Sequence, residues 1–128
     1  MNADWYWMGK SGALYPFWLV HDCRAHALKS EAGVYMFVRP VVVGGWLPVY
    51  VGIADDMSNR LPTHERWSEA AKLGATRVMA HTEPYKATRE GEERDLIRFW
   101  DPELNTHHRS LQTGMLAGVL ASRRGLLR

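Results

Sequence analysis

Six side chains spread over about seventy positions carry the chemistry this sequence could perform: Tyr35, Tyr50, Arg60, His64, Glu93 and Asn105. Two phenols, a guanidinium, a carboxylate and an amide are what a one-metal attack on a phosphodiester needs. A phenol has a reference pKa near 10 and acts as a base near neutrality only beside positive charge, which Arg60 and a divalent ion could supply. A guanidinium grips two phosphate oxygens at once and keeps its charge at any working pH. Tyr35 closes the run Gly33-Val34-Tyr35 and Tyr50 opens Tyr50-Val51-Gly52. Each therefore stands beside a glycine motif, and glycine permits close approach of backbone to a ligand. Taken singly, either tyrosine is more often a packing residue, because β-rich runs favour the type.

Glu93 is singled out by its own surroundings. In a helix over 84–100, Leu96, Ile97 and Trp100 lie at i+3, i+4 and i+7 from it. At 100° per residue the four share one face with Glu93 near its middle, while Glu90, Glu92, Arg94, Asp95 and Arg98 fall on the flanks or the far side. A carboxylate centred on an apolar stripe is costly unless it is paired or bound to a cation. A buried ion pair with an arginine satisfies it; so does a metal at the wall of a cleft. Arg60 and His64 are four residues apart and would project from one side of a continuous helix. Pro62 lies between them, however, and is expected to kink or restart that helix. Alone, Arg60 reads as a surface arginine and His64 as an ordinary, partly buried histidine.

The elements that must position these groups can be read coarsely. Residues 33–39 and 47–53 are β-rich, and Gly44-Gly45 between them signals a hairpin, widened by Pro40 and Pro48. Residues 56–73 read mainly as helix, with Gly74 as C-terminal cap. Thr76 to Thr82 alternates as a third strand, and 84–100 is a helix ending near Asp101-Pro102. A last helix over about 110–122 carries Leu111, Met115, Leu116, Val119 and Leu120 at helical spacing. Residues 1–30 form an aromatic-rich extension, with a short strand around Phe17-Trp18-Leu19-Val20 and tryptophans at 5, 7 and 18 packing over the sheet as a lid. The same tryptophans could instead cover an interface or stack on unpaired bases.

At 128 residues the chain is one domain, able to bury roughly two-thirds of its unfolded surface without staples. Cys23 is its single cysteine, which excludes a disulfide framework or Cys-built zinc site and fits a reducing compartment. With no apolar stretch near the roughly 20 residues that span a bilayer, and no secretory-signal pattern, the chain reads as soluble and cytoplasmic, without a membrane partner. A formal charge of +2 is a poor argument for nucleic acid, but its distribution says more. After Glu103 the chain has no acidic residue, and Arg109, Arg123, Arg124 and Arg128 follow. Such a tail can provide the sequence-independent share of affinity for a phosphate backbone; solvated arginines on an exposed helix are the plainer reading.

Taken together, these residues resemble the GIY-YIG nuclease domain. Gly33-Val34-Tyr35 stands for the first half of the motif and Tyr50-Val51-Gly52 for the second. Asp56-Met57-Ser58-Asn59-Arg60-Leu61 matches the start of the family's first helix, and His64 takes a position where the family often has tyrosine or histidine. Glu93 followed by Leu96-Ile97, then Pro102 and Asn105, matches the glutamate helix and its P-x-x-N ending. The likeness covers roughly 31–106, leaving 1–30 as the extension and 107–128 as a basic amphipathic helix packed on the same domain.

The resemblance implies an α+β fold: a small three-stranded antiparallel central sheet flanked by helices. It implies a metal-dependent endonuclease cutting DNA, with Glu93 holding one Mg²⁺ (or Mn²⁺). Arg60 and the cation would stabilise charge growing on the phosphate. A tyrosine, Tyr35 being the first choice, would act as general base on the attacking water. Tyr50 and His64 would position that water or assist proton transfer, and Asn105 would brace the site by hydrogen bonding. Arg109, Arg123 and Arg124 would touch the DNA backbone. The acidic cluster around Glu93 then either faces away from the polyanion or leaves DNA to approach over the hairpin and tail. A second reading is a non-cutting nucleic-acid-binding or protein-interaction module on the same fold. A third is a nuclease toxin or phage-borne factor governed by a protein partner. A homodimer is compatible with all three.

Overall fold

The computed structural model describes residues 3–21 and 30–105. Its elements in chain order are β1 (Trp5–Met8), β2 (Leu14–Val20), β3 (Gly33–Pro40), β4 (Trp46–Ala54), α1 (Met57–Arg60), a 3₁₀ turn (Leu61–Thr63), α2 (Trp67–Lys72), β5 (Arg77–Thr82) and α3 (Lys86–Trp100). The class is α+β, and the strands form one antiparallel sheet in the order β1-β2-β5-β3-β4. The sheet has five strands where three were expected. The three expected strands are β3, β4 and β5; the other two come from the aromatic extension, which joins the sheet edge and does not lie over it as a lid. Pro16 explains why β2 was read too short, since a proline within a run argues against a paired strand. The second half of β2 nevertheless pairs with β5 (Trp18 opposite Ala80) while its first half pairs with β1.

Strand β3 is buried along six consecutive residues, Gly33 to Val38, because apolar layers cover both faces of the sheet. On one face Tyr35, Phe37, Val49, Met57, Leu61, Ala70 and Leu104 pack together. On the other, Trp7, Phe17, Val34, Met36, Val51 and Met79 surround Leu96 of α3. The sheet curls around that helix. Trp5 reaches the β3–β4 turn, where a side chain on Gly45 would begin 3.1 Å from its indole. The β1–β2 hairpin is tied to α3 by Asp95, which accepts from Ser11 N (2.8 Å), Ser11 Oγ (2.7 Å) and Tyr15 Oη (2.7 Å), and by Trp100 Nε1, which donates to Met8 O (2.8 Å). No helix among the described residues is long and apolar enough to cross a membrane. Cys23, the helix expected over 110–122 and the arginines at 109, 123 and 124 lie outside the described residues.

Candidate functional site

The β3–β4 register decides how the two tyrosines meet. Tyr35 stands opposite Gly52 and Phe37 opposite Tyr50, with an irregularity beyond Phe37 that brings both Val49 and Tyr50 to the same face. A Cβ on Gly52 would fall 2.6 Å from Tyr35 Cζ and Oη and 3.0 Å from the Tyr50 ring. The glycine of the second motif is thus required by a phenol of this chain lying against the backbone, not by a ligand. The Tyr35 and Tyr50 rings lie 6.1 Å apart, and the His64 imidazole sits over both, 5.3 Å from Tyr35, 5.5 Å from Tyr50 and 4.8 Å from Phe37.

His64 has a defined tautomer. Its Nδ1 accepts the backbone N–H of Arg66 at 3.1 Å, so in the neutral ring the proton resides on Nε2. Nε2 lies 2.5 Å from Tyr35 Oη and therefore donates to it, leaving the Tyr35 hydroxyl proton to point onward. The Tyr35 hydroxyl, beside Tyr50, eases ionisation of that phenol. Burial, then the positive charge of Arg60, lowers His64 to about 4, which keeps the ring neutral at pH 7. Burial raises both phenols above their usual range: at Tyr35 Tyr50 adds to the rise and Arg60 opposes it, while at Tyr50 Arg66 gives the largest opposing pull. The two differ in access, because Tyr35 is 1% exposed and Tyr50 only half-buried.

Pro62 breaks the helix as expected. Helix α1 ends at Arg60, a 3₁₀ turn carries Leu61 to Thr63, and His64 is extended (ψ 120°) before α2 begins. Arg60 and His64 consequently share no helical face, yet both address Tyr35, one through charge and one through its hydrogen bond. The break also exposes a partner that sequence reasoning missed. Glu65 accepts a two-point fork from Arg60, Nη1 at 2.6 Å and Nη2 at 2.9 Å, the geometry a phosphate would use. Arg60 and His64 stay near Glu65 and hold its carboxyl down at about 2, with the Arg60 hydrogen bond as main cause. Arg66, also missed, places its guanidinium carbon 5.9 Å from the Tyr50 ring centre. Neither residue shows in hydrophobic periodicity, because each owes its place to the turn Pro62 makes.

Glu93 lies half-buried on α3, near enough to Tyr50 for its charge to oppose ionisation of that phenol. Among the described residues it forms no hydrogen bond or ion pair with an arginine, although the charge of Arg94 acts on it. Burial, with Glu90 nearby, raises its pKa. Its acidic neighbours are largely engaged elsewhere: Glu92 meets His81, and Asp95 holds Ser11 and Tyr15. Asn105 acts as a short piece of strand. Its Oδ1 accepts from Val51 N and its Nδ2 donates to Val51 O, both at 2.8 Å, which closes the outer edge of β4 beside Tyr50. Arg89, unremarked in the sequence, is buried and fastens α3 to the end of β4 through Asp55 (2.6 Å) and the Glu83 and Pro84 carbonyls.

Four of the six candidate side chains thus meet on one face, Glu93 approaches Tyr50 from α3, and Asn105 secures the strand between them. The set holds a polarised phenol pair, a forked cation and a carboxylate that could hold a metal. Compared with family models, curated proteins and solved structures, the chain matches none.

Proposed function

We propose that this chain is a metal-dependent endonuclease hydrolysing DNA phosphodiester bonds through a single-metal site of the GIY-YIG type. The observation that carries the reading is the cluster of Tyr35, Tyr50, His64 and Arg60, with the half-buried Glu93 carboxylate bordering it. An oxygen donor in that condition fits Mg²⁺ or Mn²⁺. When bound at Glu93, such an ion would offset charge developing on the scissile phosphate.

The chain's own groups supply the rest of the mechanism. Arg60 exchanges the Glu65 carboxylate for two non-bridging phosphate oxygens, keeping the same fork. Tyr50, the more accessible phenol, acts in its ionised form, having lost its own proton to solvent; its Oη then takes the proton of the attacking water and returns to the neutral phenol. His64 donates to Tyr35, and the Tyr35 hydroxyl is free to donate toward Tyr50, so the hydrogen bonds favour the Tyr50 phenolate that is ready to receive the proton. The burial of Tyr35 moves the base role from that residue, the first choice on sequence grounds, to its neighbour. Asn105 keeps the strand bearing Tyr50 from fraying, and Arg109, Arg123 and Arg124 are proposed as backbone contacts.

One observation favours a second reading, a nucleic-acid-binding or protein-interaction module that does not cut: Arg60 is already engaged by Glu65. Supercoiled plasmid incubated with Mg²⁺ or Mn²⁺ separates the two. Cleavage by the parent chain and none by Glu93→Ala supports the enzyme. Salt-sensitive binding without cleavage by either protein supports the module instead.

A further inference from the structure

The opposite face of the sheet carries a group of side chains that the phenol site does not use. Val34, opposite His81 in the register, belongs to the layer around α3, whereas Tyr35 stands opposite Ala80 and faces the other way. His81 Nδ1 lies 2.8 Å from the carbonyl oxygen of Pro16. A carbonyl only accepts, so Nδ1 carries a proton and, in the neutral ring, Nε2 presents a lone pair. That lone pair is aimed at a carboxylate: Glu92 Oε1 and Oε2 each lie 3.3 Å from Nε2. Glu92 Oε1 is shut off from solvent and has no hydrogen-bond partner. Glu83 lies beside them, its Oε2 accepting the Tyr85 N–H at 3.1 Å, and one ligand atom from each of the three residues lies within 4.8 Å of the other two.

An imidazolium–carboxylate pair explains this arrangement poorly. Charge-assisted N–H···O contacts close to about 2.7–2.9 Å, whereas here the nearer-aligned oxygen, Oε2, stays at 3.3 Å and Oε1, equally distant, has no partner. By contrast, two ligands bonded at about 2.0–2.1 Å to one tetrahedral ion stand about 3.3 Å apart. A carbonyl fixing Nδ1–H while Nε2 faces inward is also the outer hydrogen bond that metal-binding histidines make. Tyr15 and Phe17, whose rings lie 6.1 and 5.4 Å from His81, wall the group with apolar surface.

We propose that His81, Glu92 and Glu83 form a metal site, separate from the one at Glu93, that takes one Zn²⁺ or similar first-row divalent ion and clasps α3 to β5 and β2. Glu83 closes on the ion by a side-chain rotation, and water completes the shell. The imidazole nitrogen selects Zn²⁺ over Mg²⁺, which favours an all-oxygen shell. The site acts on the fold: it fixes the helix that carries Glu93 one residue further on.

Thermal melts of the full chain test this, with Zn²⁺ or Mg²⁺ as the only variable. Zn²⁺ should raise the Tm of the parent by at least about 3 °C and Mg²⁺ should not reproduce the rise. Glu93→Gln should keep the rise and Glu92→Gln should lose it. No rise in the parent, or an equal rise in Glu92→Gln from Zn²⁺ held by histidines elsewhere, overturns the proposal. Should Glu92→Gln fail to fold, Co²⁺ absorption bands decide between parent and Glu83→Gln. A Co²⁺ affinity at least about tenfold weaker in Glu83→Gln is expected, and an unchanged affinity overturns the assignment. Plasmid cleavage plays no part in either readout, so the fate of the nuclease reading leaves this one untouched.

Discussion

Position 52 has room for hydrogen alone, because the Tyr35 ring occupies the volume a methyl would take. Gly52→Ala must push the phenol off His64 or bend β4, and a destabilisation of about 1–3 kcal/mol is expected, measured by urea unfolding. The His64 ring resonances should move with it in NMR spectra. His64 itself makes a prediction about pH. Its folded pKa of about 4 lies below the unfolded value of about 6.5, so the unfolded chain binds the proton more readily. The neutral ring's contribution is complete above pH 6.5 and is lost as pH falls from there toward 4. The loss is on the order of 3 kcal/mol for this buried ring. Denaturant titrations at pH 7 and pH 4.5 should therefore differ less in His64→Gln than in the parent; an identical pH dependence in both would refute the assignment.

Between residues, the segment from Arg60 to Trp67 shows how an interrupted helix can serve a site better than a continuous one. The 3₁₀ turn after Arg60 lets His64 swing under Tyr35 while Glu65 folds back on the guanidinium. An exposed ion pair of this kind holds at most about 1 kcal/mol, so Glu65→Gln should strengthen binding of a short DNA duplex by up to about fivefold. A weaker complex would mean that Glu65 positions Arg60 and does not compete with phosphate. At the other end of the site, Asn105→Ala leaves Val51 N–H and C=O without their amide partner. We expect a loss of about 1–2 kcal/mol and faster hydrogen exchange confined to the β4 edge. Strands β3, β4 and β5 and helix α3 were legible from alternation, turn glycines and the 3.6 period, and Pro62 announced its own break. The role of Gly52 was not, since it depends on cross-strand register. The Asn105 clamp came only with the family likeness, and Glu65 and Arg66 are placed by a turn whose direction no periodicity encodes.

At the scale of the whole molecule, the sheet separates two chemistries, phenols and a forked arginine on one face, a histidine and two glutamates on the other. What the sequence reading treated as an appendage completes this architecture, because four consecutive apolar residues at Trp5–Met8 show no alternation and Pro16 disguises the next strand. Its attachment can be tested at one carboxylate. Asp95→Ala removes the acceptor of three hydrogen bonds and should cost about 2–3 kcal/mol, seen as a lower urea midpoint. The same fastening bears on how the chain reaches its native state. Tyr15 meets Asp95 across 80 positions of sequence and Met8 meets Trp100 across 92. Such closures come at the end of a search through many open loops, which places refolding in the slow, millisecond-to-second regime of non-local topologies. The β1–β2 hairpin must then wait until the chain has been made as far as Trp100 before it can dock.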